Sequence, residues 1–200
     1  VFFRTDGVKM RPQSGQQWEA GVKTEFWDGR LRMTAAYFDL TKQNIAVPDP
    51  ANLTRLRPVG EAQTRGIELD ITGEILPGWQ VIAAYSYLPF AKITHDVADD
   101  GAGNPTAGGT GNRLFLAAKD SGSLWSTYEF QDEALRGLKV GGGVVAVGER
   151  QGDVANTSQL AGYVTANLMA GYQWHVGMTR LTAQLNVNNL FDTNHFAGSD

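Results

Sequence analysis

The sequence predicts an all-β chain, an antiparallel up-and-down meander of about eight strands of membrane-spanning length. Three observations predict it. Apolar and polar residues alternate with a period of two along extended segments. The connections between those segments are alternately short and long. Aromatic residues gather toward both ends of the segments, with aliphatic and small residues between them.

Side chains on a strand point alternately to its two faces, so a period of two sorts them by face. In residues 16–27, Trp18, Ala20, Val22, Thr24 and Phe26 share one face, against Gln17, Glu19, Lys23 and Glu25. In residues 30–42, Leu31, Met33, Ala35 and Tyr37 fall together, while Phe38 and Leu40 take the opposite face. Residues 63–75 alternate most cleanly, with Ile67, Leu69, Ile71 and Ile75 opposite Thr64, Glu68, Asp70, Thr72 and Glu74. Residues 79–93 align Trp79, Val81, Ala83, Tyr85 and Tyr87. Residues 122–131 are short and mixed, and residues 137–149 are rich in Gly and Val. Residues 161–175 align Val164, Ala166, Leu168, Ala170, Tyr172 and Trp174. Residues 180–189 set Leu181, Ala183, Leu185 and Val187 against Arg180, Thr182, Gln184, Asn186 and Asn188. A helix would need apolar steps of three and four, and Gly interrupts most of these runs.

Asp28-Gly29, Leu76-Pro77-Gly78, and the stretches near 132–136 and 176–178 carry the Gly, Pro and Asp chemistry that reverses a chain tightly. The polar stretches near 43–62, 94–121 and 150–160 are the long connections. In a meander every second connection lies at the same end, so tight turns take one end and long loops the other. Outer-membrane barrels show this asymmetry. Phe26, Trp27, Trp79 and Trp174 lie beside the tight turns, and Tyr37, Phe38, Tyr85, Tyr87 and Phe191 lie toward the long loops. Two such bands match aromatic girdles at the two membrane interfaces. The competing reading is a soluble β-protein with an aromatic core, whose strands usually run only about 5–6 residues.

Composition agrees. The chain has 200 residues, of which 24 are glycine and 10% aromatic, a mix that suits pleated strands and turns better than helices. Net charge is −4 and Lys and Arg are scattered, so no nucleic-acid partner is expected. There is no cysteine, which excludes disulfides and Cys-ligated metal sites. No apolar run reaches the roughly 18 residues of a membrane helix, whereas a barrel strand crosses with about 9–11. Val1-Phe2-Phe3-Arg4 does not open a signal peptide, so any export signal is expected outside this sequence.

Several stretches, in order, resemble the TonB-dependent siderophore receptor family. They begin with Pro12-Gln13-Ser14-Gly15-Gln16-Gln17-Trp18-Glu19-Ala20-Gly21-Val22-Lys23, then Asp28-Gly29-Arg30-Leu31 and Phe38-Asp39-Leu40-Thr41-Lys42-Gln43-Asn44. Val59-Gly60-Glu61, Arg65-Gly66-Ile67-Glu68-Leu69-Asp70, Gly73-Glu74-Ile75 and Pro77-Gly78-Trp79 follow. Later come Gly148-Glu149-Arg150-Gln151-Gly152-Asp153, Leu160-Ala161-Gly162-Tyr163 and Leu185-Asn186-Val187-Asn188-Asn189-Leu190-Phe191-Asp192. Each is weak alone, but together they cover nearly the whole chain.

The resemblance implies a barrel of the plugged transporter class, with about 22 strands. Residues 1–200 are then expected to be the C-terminal portion of that barrel, strands fourteen through twenty-one. The plug, the TonB-contacting box, the earlier strands and the last strand fall outside the chain on this reading. It also implies TonB-energised uptake of a ferric siderophore across a Gram-negative outer membrane. The siderophore is the transported ligand, no cofactor is expected in this stretch, and the partners are outer-membrane lipid and, through the missing N-terminal regions, the TonB complex. A receptor for another cargo (a vitamin, haem or glycan) and a self-contained small β-barrel binding protein remain alternatives.

Candidate site residues are few. Arg65, Glu68 and Asp70 are the sharpest polar group, and a bulge near Gly66 is expected to turn Arg65 inward to join a lumen charge network against a plug. Solvated lumen charges are the plainer reading of the same three. His95 and Asp96 open a long outer loop and are candidates for ligand contact, as is Arg150. His95, His175 and His195 are too widely spaced for a metal site, and no protein metal ligand is expected. Asp99 and Asp100 fit a weak calcium site less well than a solvated loop. Gly141-Gly142-Gly143 lacks the Lys-Ser/Thr of a phosphate loop and reads as close strand packing. Ser121-Gly122-Ser123 has no Gly-x-Ser-x-Gly context, so no enzyme and no catalytic residue are expected. Asn186, Asn188 and Asn189 read as lumen-facing or plug-supporting groups.

Overall fold

A computed structural model describes residues 12–49, 52–96, 98–99, 105–106 and 108–196. Of the residues named above, Val1 to Arg4 and Asp100 lie outside these. The strands are β1 (Ser14–Phe26), β2 (Leu31–Asp49), β3 (Asn52–Leu76), β4 (Trp79–His95), β5 (Ala98–Asp99), β6 (Pro105–Thr106), β7 (Asp120–Glu129), β8 (Leu138–Val147), β9 (Arg150–Gln151), β10 (Gln159–Leu160), β11 (Tyr163–Val176) and β12 (Thr179–Val187). Eight of them form one sheet in the order β1-β2-β3-β4-β7-β8-β11-β12, every pair antiparallel. This is the meander that the alternation predicts. β5 with β6, and β9 with β10, are two-stranded ribbons within the long connections.

The turns follow their residues. Trp27, Asp28 and Gly29 have φ of 52°, 56° and 80° between β1 and β2. Gly78 (φ 79°) and Gly177 (φ 60°) close the β3–β4 and β11–β12 hairpins. A short 3-10 helix, Glu133–Leu135, sits between β7 and β8. All four lie at one end of the sheet.

At the other end the structure departs from one expectation. Residues 43–49 and 52–62 are strand, not irregular loop. β2 and β3 stay paired from Gln43↔Glu61 out to Asp49↔Asn52. The polarity of this stretch does not mark where the ladder stops. A paired ladder satisfies backbone N–H and C=O groups whatever side chains it carries.

The two faces sort as the period of two demands. Directly paired residues share a face. The apolar face carries Val22, Ala35, Leu69 and Ala83, and farther along Leu124, Val144, Leu168 and Leu185. The polar face carries Glu68, Asp70, Ser86, Ser121, Ser123, Thr165, Asn167, Gln184 and Asn186. Among the described residues nothing covers the apolar face: Val22 and Leu185 are each 67% exposed. Among the described residues the buried hydrophobic side chains are Ala36, Phe38, Ala62, Ala91 and Ile93, all on the polar face near the long loops. Leu185 thus lies on an open face, not in the dry interior that a soluble β-protein with an apolar core would give it.

Two glycines allow close packing on the polar face. A Cβ on Gly143 would sit 2.4 Å from the Leu124 carbonyl oxygen and 2.5 Å from Trp125 Cε3, so the indole occupies the space a side chain would need. The close-packing reading of Gly141 to Gly143 therefore has a physical cause. Gly66 likewise makes room for Phe38, whose ring would lie 3.3 Å from an added Cβ. Phe38 is accordingly 7% exposed on the polar face and belongs to no girdle.

Candidate functional site: the outer loop cap and the polar wall

Beyond the end of β7, residues 108–119 continue along the free edge of β4. The Leu88 N–H donates to the Lys119 carbonyl (2.7 Å), Leu114 to Ala91 (2.9 Å), Ile93 to Asn112 (2.9 Å) and Gly111 to Ile93 (2.8 Å). The long connection thus extends the ladder and folds over the polar face. Ile93 is 2% exposed and packs with Ile45, Leu114, Phe115 and Val154.

The second long connection is fastened to the first. Asn156 accepts from the Arg113 N–H through Oδ1 (2.8 Å) and donates from Nδ2 to the Arg113 carbonyl (2.9 Å). Its amide thereby reads one residue's backbone from both sides. Asn112 Nδ2 donates to the Val154 carbonyl (3.0 Å), and the Leu116 N–H to that of Gln151 (2.9 Å). The Arg113 guanidinium donates to the Ala117 and Leu88 carbonyls (3.1 and 2.9 Å). Burial pulls its pKa below the ordinary arginine value, and the charge of Asp120 opposes that.

Asp153 organises the tip. Its carboxylate accepts from the Thr157 N–H and hydroxyl (3.0 Å each), the Ser158 N–H (2.7 Å) and the Ser158 hydroxyl. These donors, the Ser158 hydroxyl foremost, lower its pKa from 3.8 to about 2.

The candidate residues land in three places. Asp96 is 3% exposed and accepts from the Gly109 N–H (2.7 Å), while its own N–H donates to Thr110 Oγ1 (2.9 Å). Arg150 is 5% exposed, donates from Nη2 to the Phe196 carbonyl (2.6 Å), and lies over the Tyr163 ring at 5.4 Å. Tyr163 stacks on His195 with centroids 4.1 Å apart. Both charged residues hold loop segments in place. His95 is exposed, opposite Glu61 at the outer end of β4.

Arg65 does not turn inward. A bulge does occur, but on β4: Arg65 pairs with Phe90 while Ile67 pairs with Tyr87, leaving the extra residue between those two rings. The β2–β3 register is unbroken there, so Arg65 keeps the face of Ile67 and Tyr37. It forms an ion pair with Asp39 (2.9 Å) and donates to Gln63 (2.8 Å). Glu68 and Asp70 do lie on the polar face, beside Ser86, Ser121 and Ser123, in a cavity of about 370 Å³. Asn186 shares that face and accepts from Gln184 (2.9 Å), whereas Asn189 builds a turn with Thr193 just past β12. His175 pairs with Arg180 beside the last tight turn. Among the described residues no group of three His, Cys, Asp or Glu is placed to hold a metal.

The sequence reading missed Arg113, Asn156 and Asp153. Asp153 followed by Thr157 and Ser158 is a legible signal, because an Asp side chain commonly caps nearby N–H groups. The Arg113–Asn156 contact joins two loops and leaves no local trace.

An uncovered apolar face, a polar opposite face, tight turns at one end and an ordered loop cap at the other define the wall of a transmembrane β-barrel. The chain belongs to the TonB dependent receptor-like, beta-barrel family, whose model matches residues 2–190. It is 37% identical over 196 residues to the metal-pseudopaline receptor CntO of Pseudomonas aeruginosa, covering 96% of this chain and 26% of that protein. It is 30% identical to the ferrioxamine B receptor of Salmonella typhimurium, covering 98% and 26%. The crystal structure of the siderophore receptor PiuA from Acinetobacter baumannii superposes with a TM-score of 0.71 at 37% identity, over 91% of this chain and 25% of that one. The chain therefore spans about a quarter of the length of these relatives. Members of this family are Gram-negative outer-membrane proteins, so the apolar face is turned to lipid and the polar face to the barrel lumen.

Proposed function

We propose that this chain is part of an outer-membrane receptor that takes up a ferric siderophore with energy supplied through TonB. Residues 1–200 correspond on this reading to the C-terminal portion of the barrel, and TonB and the plug engage regions not included in it. The long-loop cap meets the ligand from outside, and the lumen face of Glu68, Asp70, Ser86 and Ser121 lines its path. The observation that carries the reading is the pairing of a polar lumen wall with a cap whose loops are fastened to one another by Asn112, Arg113 and Asn156. Iron arrives already chelated, so the wall needs no iron ligands of its own, and the protein's role is transport. His95, exposed at the rim, is the candidate for direct ligand contact, while Asp96 and Arg150 act by holding the loops that present it.

A second reading keeps the wall and changes the cargo. CntO is a metal-pseudopaline receptor, a name that does not restrict the chelated metal to iron, so a chelate of another metal is the second cargo to test. Growth of a deletion strain carrying the full reading frame tests both. Rescue under iron starvation by a single ferric siderophore, lost on deletion of residues 108–119, supports the first. Rescue only under starvation for another metal supports the second.

A further inference from the structure

Most left-handed residues of this chain have an evident local cause. Among the described residues, seven that are not glycine have positive φ, and five of these are Asn or Asp, whose short polar side chains tolerate the conformation. Trp27 belongs to the tight β1–β2 turn. The seventh is Leu116, at φ 59°, which lies in no hairpin turn. A leucine side chain gains nothing locally from that backbone, so its surroundings must impose it.

The surroundings are the two long connections. From Lys119 to Leu114 the chain takes five steps along the edge of β4, where β4 itself takes three, from Leu88 to Ala91. The two surplus residues leave the edge as a tongue that contains Leu116. Its N–H donates to the Gln151 carbonyl (2.9 Å), and Phe115 forms a parallel bridge with Gln151. Arg113 closes the base of the tongue, from Nε to the Ala117 carbonyl (3.1 Å) and from Nη2 to that of Leu88 (2.9 Å). Leu114 and Phe115 pack against Ile93. Apolar burial and the grip of Gln151 hold the tongue down, and the left-handed backbone at 116 pulls against them.

We propose that Leu116 is a strained hinge that keeps the outer cap closed under tension. When the 150–160 connection withdraws the Gln151 carbonyl, residue 116 relaxes to an extended backbone. The two surplus residues then straighten, and residues 111–117 lift from β4 together with that connection. Tension at one residue thus sets how often the two connections open as a unit. The device rests on the uptake reading for its purpose, whereas the tension itself needs no cargo.

Hydrogen–deuterium exchange on the full-length receptor without cargo tests this. Leu116→Ala removes the side chain and keeps the strain; Leu116→Gly removes both. Peptides covering 109–118 are about fivefold better protected in L116G than in L116A. Peptides covering 150–160 gain by a similar factor, although residue 116 lies outside them. Leu116→Asn, which keeps a side chain and tolerates the left-handed region, is also better protected than L116A in both segments. Protection of 109–118 in L116G no better than in L116A overturns the proposal, because packing alone gives glycine no advantage. So does a gain confined to 109–118, which would leave the kink without a hold on the other connection. Should L116G not fold, L116N against L116A carries the same comparison.

Discussion

Replacing Asn156 by alanine tests whether the outer cap is one ordered body. The side chain makes three contacts: it accepts from the Arg113 N–H at 2.8 Å, and donates to the Arg113 carbonyl at 2.9 Å and the Asp153 carbonyl at 3.2 Å. Alanine removes all three. It also leaves a non-glycine, non-asparagine residue at φ 58°. Each lost hydrogen bond is worth about 1 kcal/mol net. The total, near 3 kcal/mol, raises local opening of the cap roughly a hundredfold. Hydrogen–deuterium exchange on the full receptor reads this directly. Peptides covering 109–118 and 150–160 lose protection, while peptides from β3 and β7 do not change. Asn156→Gly relieves the backbone conformation but still lacks the amide, so it loses nearly as much. Unchanged exchange in both loops would refute the reasoning, as would an equal loss across the wall.

Gly143→Ala drives a methyl toward the Trp125 ring and the Leu124 carbonyl. It should lower resistance to urea unfolding by about 1–3 kcal/mol, whereas Gly142→Ala, whose tightest contact is the end of Leu168 at 3.1 Å, should do less. Asp153 links the cap to pH. Its pKa falls from 3.8 to about 2 on folding, so its contribution is full above the ordinary carboxylate range and disappears as pH drops through about 2. Pepsin should cut the 150–160 loop faster in Asp153→Asn than in the parent at pH 4, and the two rates should converge at pH 2. Arg65→Gln leaves the mostly buried carboxylate of Asp39 without its cation, so it should destabilise more than the Asp39→Asn/Arg65→Gln pair does in the same urea titration.

The strands were legible because lipid on one side and water on the other impose a period of two on the sequence. Ile67, Glu68, Leu69, Asp70 and Ile71 show it without interruption. The β4 bulge was harder to see, although Pro89 announces it: a residue without an N–H fits where a ladder bond is already broken. Without the bulge, Phe90 would face the lumen; with it, Phe90 joins Arg65 outside. Outside the bilayer the constraint relaxes, and polar residues no longer distinguish a loop from a ladder, so residues 43–62 read as a loop. Asp96 and Arg150 drew notice for their charge and loop position. Their burial depends on Gly109, Thr110, Tyr163 and Phe196, which only the folded cap brings near them. His95 and Glu61 meet through strand register, which alternation alone does not fix.

Spin labels placed one at a time from Ile67 to Thr72 measure the sorting of faces most directly. In the lipid-reconstituted receptor, positions 67, 69 and 71 should be accessible to oxygen dissolved in the bilayer, and positions 68, 70 and 72 to a water-soluble nickel chelate. Equal access to both reagents along the segment, or a repeat of three to four residues, would contradict a barrel wall here.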